Sequence, residues 1–299
     1  MEKIMKTIPA KTILQKNKSA DWFGSDYNMN LYKGCCHGCI YCDSRSDCYQ
    51  IENFSAVRAK ENCLQILRDE LRRKVRTGVV GTGAMCDPYS PFEETEQLTR
   101  HALELIDAFG FGAHVLTKNS LIARDADIFC GIKEHSPVLC QVTITAAEDS
   151  LSALVEPNAS RTSQRLNALA KLSEKGLFTG VVMNPILPFI EDTEENVLGI
   201  VRMAKECGAR SVYPMFGLTI RSGQREYFYK KLEEKFPDSG LAERYAKTYG
   251  ERYMCYSPHA NRLWKVFSEE CQRLGLLYEM RDIISAYKLG YGDGQLSFF

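Results

Sequence analysis

The stretch that decides the reading is Gly34-Cys35-Cys36-His37-Gly38-Cys39-Ile40-Tyr41-Cys42. Cys35, Cys39 and Cys42 have the spacing C-x3-C-x2-C on one short loop. Thiolates are soft ligands that suit iron–sulfur clusters and zinc. Three ligands on one tight loop can hold three corners of a cubane and leave the fourth iron open. The competing reading is a structural zinc site built from Cys35 or Cys36, His37, Cys39 and Cys42. Such sites generally bring two ligand pairs separated by about 12–20 residues. Here a second pair is missing, since Cys48 and Cys63 are singletons.

Outward from this loop, composition sets limits. The chain has 299 residues, 44% of them hydrophobic, enough to bury a large core. Twelve cysteines in a chain of this length suit reduced thiols and metal ligation better than a disulfide framework. Cys63, Cys130, Cys207 and Cys271 fall in helical patterns and read as small core residues. No apolar run of about 18 residues is present, so no membrane helix is expected. Residues 1–18 lack the long apolar core of a secretory leader, and a cytoplasmic location is expected. The formal net charge is zero, which argues against a broad electrostatic grip on nucleic acid. Arg68, Arg72, Arg73, Lys74 and Arg76 form a local basic group that reads as a solvated helix face.

From about residue 78 to 218, short β-branched runs alternate with amphipathic stretches. The candidate strands are 79–84, 114–118, 139–145, 179–185 and 211–216, with a lead strand at 29–33 running into the cysteine loop. Helical spacing places Leu64, Leu67, Leu71 and Val75 on one face, and Leu98, Ala102, Leu105, Ile106 and Phe109 on another. A further helix carries Val197, Ile200, Val201 and Ala204. It opens on the capping-box spacing of Asp192 and Glu195 and closes before Gly208. Six βα units in series predict an α/β fold, a partial (β/α)6 TIM-type barrel spanning 1–218 with its N-terminal lead-in. A helical extension, 219–299, follows, with tyrosines at 245, 249, 253 and 256 that either cover the barrel mouth or pack.

In such barrels the chemistry lies at the C-terminal ends of the strands. Lys118 ends a strand there. Along 139–145, alternation puts Leu139, Gln141, Thr143 and Thr145 on one face and Cys140, Val142 and Ile144 on the other. Buried polar groups need partners, so Gln141 and Thr143 are expected to face the cavity. Asp87-Pro88 and Glu156-Pro157 put carboxylates on rigid loops. Each carboxylate serves either a cofactor or its own loop.

The cysteine spacing, with aromatic Tyr41 just before the last cysteine, resembles the radical S-adenosylmethionine superfamily. The wider sequence resembles the branch that contains spore photoproduct lyase and photolyase-like DNA repair proteins. The stretches that carry this are Tyr32 to Cys42, Gly81-Thr82-Gly83-Ala84-Met85-Cys86-Asp87-Pro88-Tyr89, Leu116-Thr117-Lys118-Asn119, Val142-Thr143-Ile144-Thr145 with Glu156-Pro157, and Asn184-Pro185-Ile186-Leu187-Pro188. The resemblance implies a [4Fe–4S] cluster on Cys35, Cys39 and Cys42. S-adenosylmethionine would chelate the open iron and be cleaved reductively to a 5′-deoxyadenosyl radical. An electron donor such as flavodoxin or ferredoxin is implied with it. Tyr41, Asp87, Lys118, Gln141, Thr143 and Glu156 become candidate cofactor-binding residues, with Lys118 paired to the cofactor carboxylate.

Cys86 is the candidate hydrogen donor to a product radical. When Asp87 and Lys118 are placed on the lyase's aspartate and lysine, however, the donor's place falls on Ala84 and Cys86 replaces a serine. Thymine-dimer cleavage of the lyase type does not follow. The last residues, Gln295-Leu296-Ser297-Phe298-Phe299, resemble the short peptide by which bacterial polymerases and repair proteins bind the sliding clamp. The other reading folds the two phenylalanines back on the barrel. Three functions are therefore weighed. The first is a radical enzyme acting on DNA or a nucleotide-like substrate. The second is an iron–sulfur or zinc protein without radical catalysis, recruited to DNA or a partner. The third is a radical enzyme acting on a peptide or small metabolite.

Overall fold

Alternating apolar residues on successive strands need cover on two faces, and the fold supplies a different cover on each. The computed structural model describes residues 5–83 and 85–291. Its main sheet has seven strands, ordered Ser211–Pro214, Phe178–Met183, Val138–Thr143, Gly112–Thr117, Val79–Gly81, Tyr27–Met29 and Leu14–Lys16. Every neighbouring pair is parallel except the last, where Leu14–Lys16 runs antiparallel to Tyr27–Met29. Val138–Thr143 and Phe178–Met183 are buried along their whole length, as parallel strands covered on both faces must be.

On one face, Ala113, Val115, Cys140, Val142, Val181 and Val212 pack against the connecting helices. Those helices contribute Leu103, Ile106, Phe129, Ile132, Leu169, Leu172, Val197, Ile200 and Val201. Cys140 thus faces the helix layer, the side that strand alternation assigns to it. On the other face, Val79, Leu139, Phe178 and Val182 meet Phe23 and the helix Met280–Lys288 through Ile283 and Tyr287. The Tyr287 hydroxyl donates to the Phe23 carbonyl at 2.7 Å, and Lys288 Nζ donates to the Gly24 carbonyl at 2.6 Å. This plug fills the N-terminal half of that face. The C-terminal half stays open as a cavity.

A third apolar cluster covers the cysteine loop itself. Cys39, Ile40 and Tyr41 pack with Leu218, Ile220, Phe228, Leu232, Leu241, Tyr245, Tyr249 and Cys255. These come from the ribbon Gly217–Thr219 with Met254–Tyr256 and the helices Gln224–Lys235 and Leu241–Tyr249. The chain after residue 219 therefore wraps the loop that precedes the sheet's second half. Tyr245 and Tyr249 are packing residues whose hydroxyls donate to the Pro188 and Tyr256 carbonyls at 2.6 and 2.7 Å. Tyr253 and Tyr256 are exposed.

Several sequence expectations are corrected. The lead strand of the main sheet is Tyr27–Met29, not 29–33. Tyr32–Lys33 belongs to a separate small sheet with Lys6–Ile8 and Arg58–Lys60. The first long helix ends at Arg72, and Val75 is 97% exposed rather than on the apolar face. The helix Glu194–Glu206 is capped by Thr193, whose side chain accepts from the Asn196 N–H. Asp192 instead accepts from the Phe189 N–H and the Ser257 hydroxyl. The proposed tail peptide, Gln295 to Phe299, and Ala84 lie outside the described residues.

Candidate functional site

The cysteine loop owes its shape to glycine and to two flanking segments. Gly34 has φ +84°, and a Cβ there would stand 2.6 and 2.7 Å from the Phe54 and Ala56 carbonyl oxygens. Only glycine fits such a position without strain. On one side the Cys35 N–H donates to the Phe54 carbonyl at 2.9 Å. On the other, the Ile40 N–H donates to the Val155 carbonyl at 3.0 Å, and the Asn158 N–H donates to the His37 carbonyl at 3.0 Å. Gln224 Nε2 donates to the Tyr41 carbonyl at 2.8 Å, so the C-terminal helices hold the loop from above.

Cys35, Cys39 and Cys42 all line one cavity of about 1110 Å³, and all three are free thiols. The same cavity takes in Tyr41, Cys86, Asp87, Lys118 and Thr143, so most of the sequence candidates are brought together. Burial pushes the Cys39 thiol up to about 12, and raises those of Cys35 and Cys42 as well. Three thiols that line one cavity are a soft donor set that fits a metal group replacing their protons. Among the described residues, no three or more His, Cys, Asp and Glu side chains gather tightly enough for a single metal ion. A cubane holds its ligands at separate corners and asks for a wider set.

Lys118 stands above the Tyr41 ring, Nζ 5.8 Å from its centroid. Burial works against its ammonium, yet Cys39, Glu156 and Asp87 outweigh burial and hold its pKa above the ordinary lysine value. It is a cation fixed at the cavity wall. Asp87 is occupied by its own loop: it accepts from the Tyr89 N–H at 2.9 Å, the Thr117 hydroxyl at 2.5 Å and the Lys118 N–H at 2.8 Å. The residue still lines the cavity. Cys86 lies in the loop beyond Val79–Gly81 and points its thiol at the Tyr32 carbonyl, 3.2 Å away. Burial pushes that thiol up to about 12, so it keeps its hydrogen.

Two candidates stand one layer behind the cavity. Gln141 Oε1 pairs with His114 Nε2 at 2.8 Å, and His114 Nδ1 meets the Ser25 hydroxyl at 2.9 Å. His114 and Ser25 line the cavity; Gln141 buttresses them. Burial drops the His114 pKa to about 4, so the ring is neutral. Glu156 accepts from the Tyr41 hydroxyl on one oxygen and from Arg165 Nη2 on the other. Burial pushes its carboxyl up, but Arg165 and Lys118 outweigh that and hold it ionised.

Arg165 was not singled out by any motif. It is fully buried in the helix Thr162–Glu174, and it also donates to the Thr143 carbonyl, the Ser152 hydroxyl at 3.1 Å and the Ser160 carbonyl at 2.6 Å. A buried arginine in an amphipathic pattern reads as a surface residue, so sequence gave no signal. Trp22, Tyr213 and Met280 also line the cavity. They come from a loop, a strand and the last helix, which only the fold brings together.

The comparisons with known proteins bear on the family and the fold. The model of the radical SAM superfamily matches residues 29–204. An uncharacterised protein of Methanocaldococcus jannaschii is 33% identical over 219 residues, covering 72% of this chain and 78% of its own. An uncharacterised protein of Mycobacterium tuberculosis is 29% identical over 247 residues, covering 80% of this chain and 72% of its own. Among solved structures, spore photoproduct lyase complexed with dinucleoside spore photoproduct is similar, with a TM-score of 0.62 at 17% identity. That match covers 93% of this chain and 79% of the lyase. The matched segment holds all three cysteines, Tyr41, Lys118 and Thr143, and the chain belongs to the radical SAM superfamily.

Proposed function

We propose that this chain is a radical enzyme whose Cys35, Cys39 and Cys42 hold a [4Fe–4S] cluster, and whose substrate is a DNA lesion or a nucleotide-like molecule. The observation that carries it is the convergence of the three thiols with Lys118, Asp87 and Thr143 in one cavity. Ligand cavities typically measure about 300–1000 Å³. A space of about 1110 Å³ accommodates a cofactor and part of a substrate together. We read the sheet and its outer helices as a six-unit partial barrel, with this cavity at the C-terminal ends of the strands.

When bound, the cluster and S-adenosylmethionine supply an electron and a 5′-deoxyadenosyl radical. The chain's residues do the rest. Lys118 offers its ammonium to the cofactor carboxylate. Asp87 and Thr143 face the cavity with oxygens that suit the amino group and ribose hydroxyls. Glu156 and Arg165 act from behind, fixing the Tyr41 hydroxyl and hence the last turn of the ligand loop. Cys86 retains an S–H at the cavity wall and is the candidate hydrogen donor to a substrate radical.

The substrate class rests on similarity to a lyase solved with a dinucleoside spore photoproduct. The formal net charge of zero favours recognition of a short nucleotide segment over a long duplex. A single-ion zinc protein is disfavoured because the candidate ligands are not gathered for one ion. The residues 295–299 are proposed to dock on a sliding clamp, and a flavodoxin or ferredoxin to supply the electron. Twelve cysteines outside any disulfide suit a reducing compartment, the cytoplasm. The substrate is tested by turnover on ultraviolet-irradiated oligonucleotides with reconstituted protein. Lesion loss that depends on S-adenosylmethionine supports the reading. A competent cluster with no change in the oligonucleotide moves the substrate to the peptide or metabolite class.

A further inference from the structure

The ligand loop carries a polar side chain that the proposed reaction leaves unused. His37 lies between two ligand positions and is 1% exposed. Its Nδ1 is 3.3 Å from Cys35 Sγ. Its Nε2 faces Asp87 Oδ2 at 3.9 Å and has no hydrogen-bond partner among the described residues. The backbone on both sides is locked. Asn158 Nδ2 donates to the Cys36 carbonyl at 2.9 Å, and the Asn158 N–H donates to the His37 carbonyl at 3.0 Å. Gly38 follows at φ +73°.

A free Cys35 thiol can give its hydrogen to Nδ1. A thiolate bound to iron has none, so the contact is then attractive only when Nδ1 carries the hydrogen. A neutral imidazole has one N–H to place, and that choice leaves Nε2 unprotonated opposite Asp87 Oδ2, which at 3.9 Å lies beyond hydrogen-bond reach. An N–H donated to a ligating sulfur withdraws electron density from it. Such hydrogen bonds favour the more negative, reduced form and raise the reduction potential.

We infer that His37 is a positioning residue that tunes the metal group: its Nδ1–H donates to Cys35 Sγ and makes the cluster easier to reduce. This rests on the cluster reading above. No bond to His37 is made or broken, and its proton stays on Nδ1 while the electron arrives from the external donor.

The test compares wild-type protein with His37→Ala and His37→Asn after anaerobic reconstitution. Iron is counted, and the midpoint potential is taken from a redox titration followed by electron paramagnetic resonance. The asparagine amide nitrogen falls near the place of Nδ1. The backbone N–H of His37, which also favours the Cys35 thiolate, persists in every variant. At the wild-type midpoint potential, the reduced-to-oxidised ratio of His37→Ala is expected to be about tenfold lower, a fall of about 59 mV for one electron. His37→Asn is expected to recover most of it. An unchanged potential in a fully loaded His37→Ala overturns the inference. Should His37→Ala load no iron, pulsed resonance on wild-type protein decides. A nitrogen coupling that changes with 15N-histidine supports the bond, and its absence overturns it. Wild-type protein that assembles no four-iron cluster overturns the underlying reading, and this inference with it.

Discussion

Replacing Arg165 by methionine isolates the buried charge pair behind the ligand loop. The side chains of Arg165 and Glu156 are 0% and 1% exposed, so water cannot replace the partner that is lost. The substitution removes donors to Glu156, Ser152, Ser160 and the Thr143 carbonyl, while methionine keeps much of the volume. Breaking one side of a buried pair costs about 3–5 kcal/mol, because a charge is left stranded. That is a large share of the roughly 5–15 kcal/mol by which folded proteins are stable.

The pH dependence has a definite sign. In the wild type, burial raises the Glu156 pKa but Arg165 and Lys118 bring it below the ordinary value. Its stabilising contribution is therefore full above the ordinary carboxylate range and is lost as pH falls through the depressed folded value. In Arg165→Met, burial dominates and the folded pKa rises above the unfolded one. The stability gap between the two proteins is then widest near neutral pH and narrows as pH falls through the variant's raised value toward the ordinary carboxylate range. Urea unfolding at about pH 7.5 and about pH 5 measures it. The double variant Glu156→Gln with Arg165→Met should be more stable than Arg165→Met alone at neutral pH. A gap below about 1 kcal/mol, or one that is equal at both pH values, refutes the reasoning.

Other outcomes follow from single contacts. Gly34→Ala places a Cβ against two carbonyl oxygens at φ +84°, and should cost about 1–3 kcal/mol and lower iron content together. Retained iron and stability contradict it. Lys118→Ala should weaken S-adenosylmethionine binding to reconstituted protein by about 10- to 100-fold in calorimetry, and an unchanged affinity removes the role given to its ammonium. Cys140→Ala, on the helix face of its strand, should lower stability by about 1 kcal/mol and leave iron content intact. Loss of iron there would mean that the strand's facing is misread. Deleting residues 295–299 should abolish affinity for a sliding clamp, and unchanged binding rules out the tail peptide.

The sequence made the ligand loop legible because metal chemistry demands residue types at fixed spacing on a contiguous stretch. Lys118 was legible because it stands at the C-terminal end of a strand, and Thr143 because strand alternation tells which side chains reach an inner face. Gln141 obeyed the same alternation, but His114 and Ser25 stand between it and the cavity, and no periodicity shows what lies across a strand. Glu156 sits on a motif-like Glu-Pro step, yet Arg165 from the next helix claims one of its oxygens and Tyr41 the other. The lead strand shifted by a few residues because Tyr27, Met29 and Leu31 alternate with Asn28 and Asn30 straight into Tyr32, and the one segment serves two sheets. The Asp192 and Glu195 pattern misplaced a cap by one position, since Thr193 offers the same chemistry next door. His37 entered the sequence reading only as a zinc ligand, because its meaning depends on a distance of 3.3 Å to Cys35 that no spacing rule encodes.

The central claim is that Cys35, Cys39 and Cys42 hold a redox cluster that cleaves S-adenosylmethionine. Its most direct test is 5′-deoxyadenosine formation by anaerobically reconstituted protein under reductant, compared with Cys39→Ala. The account predicts four irons per wild-type chain with product formed, and loss of both in the variant. Native protein that holds zinc instead of iron, or a Cys39→Ala variant that still forms the product, contradicts it.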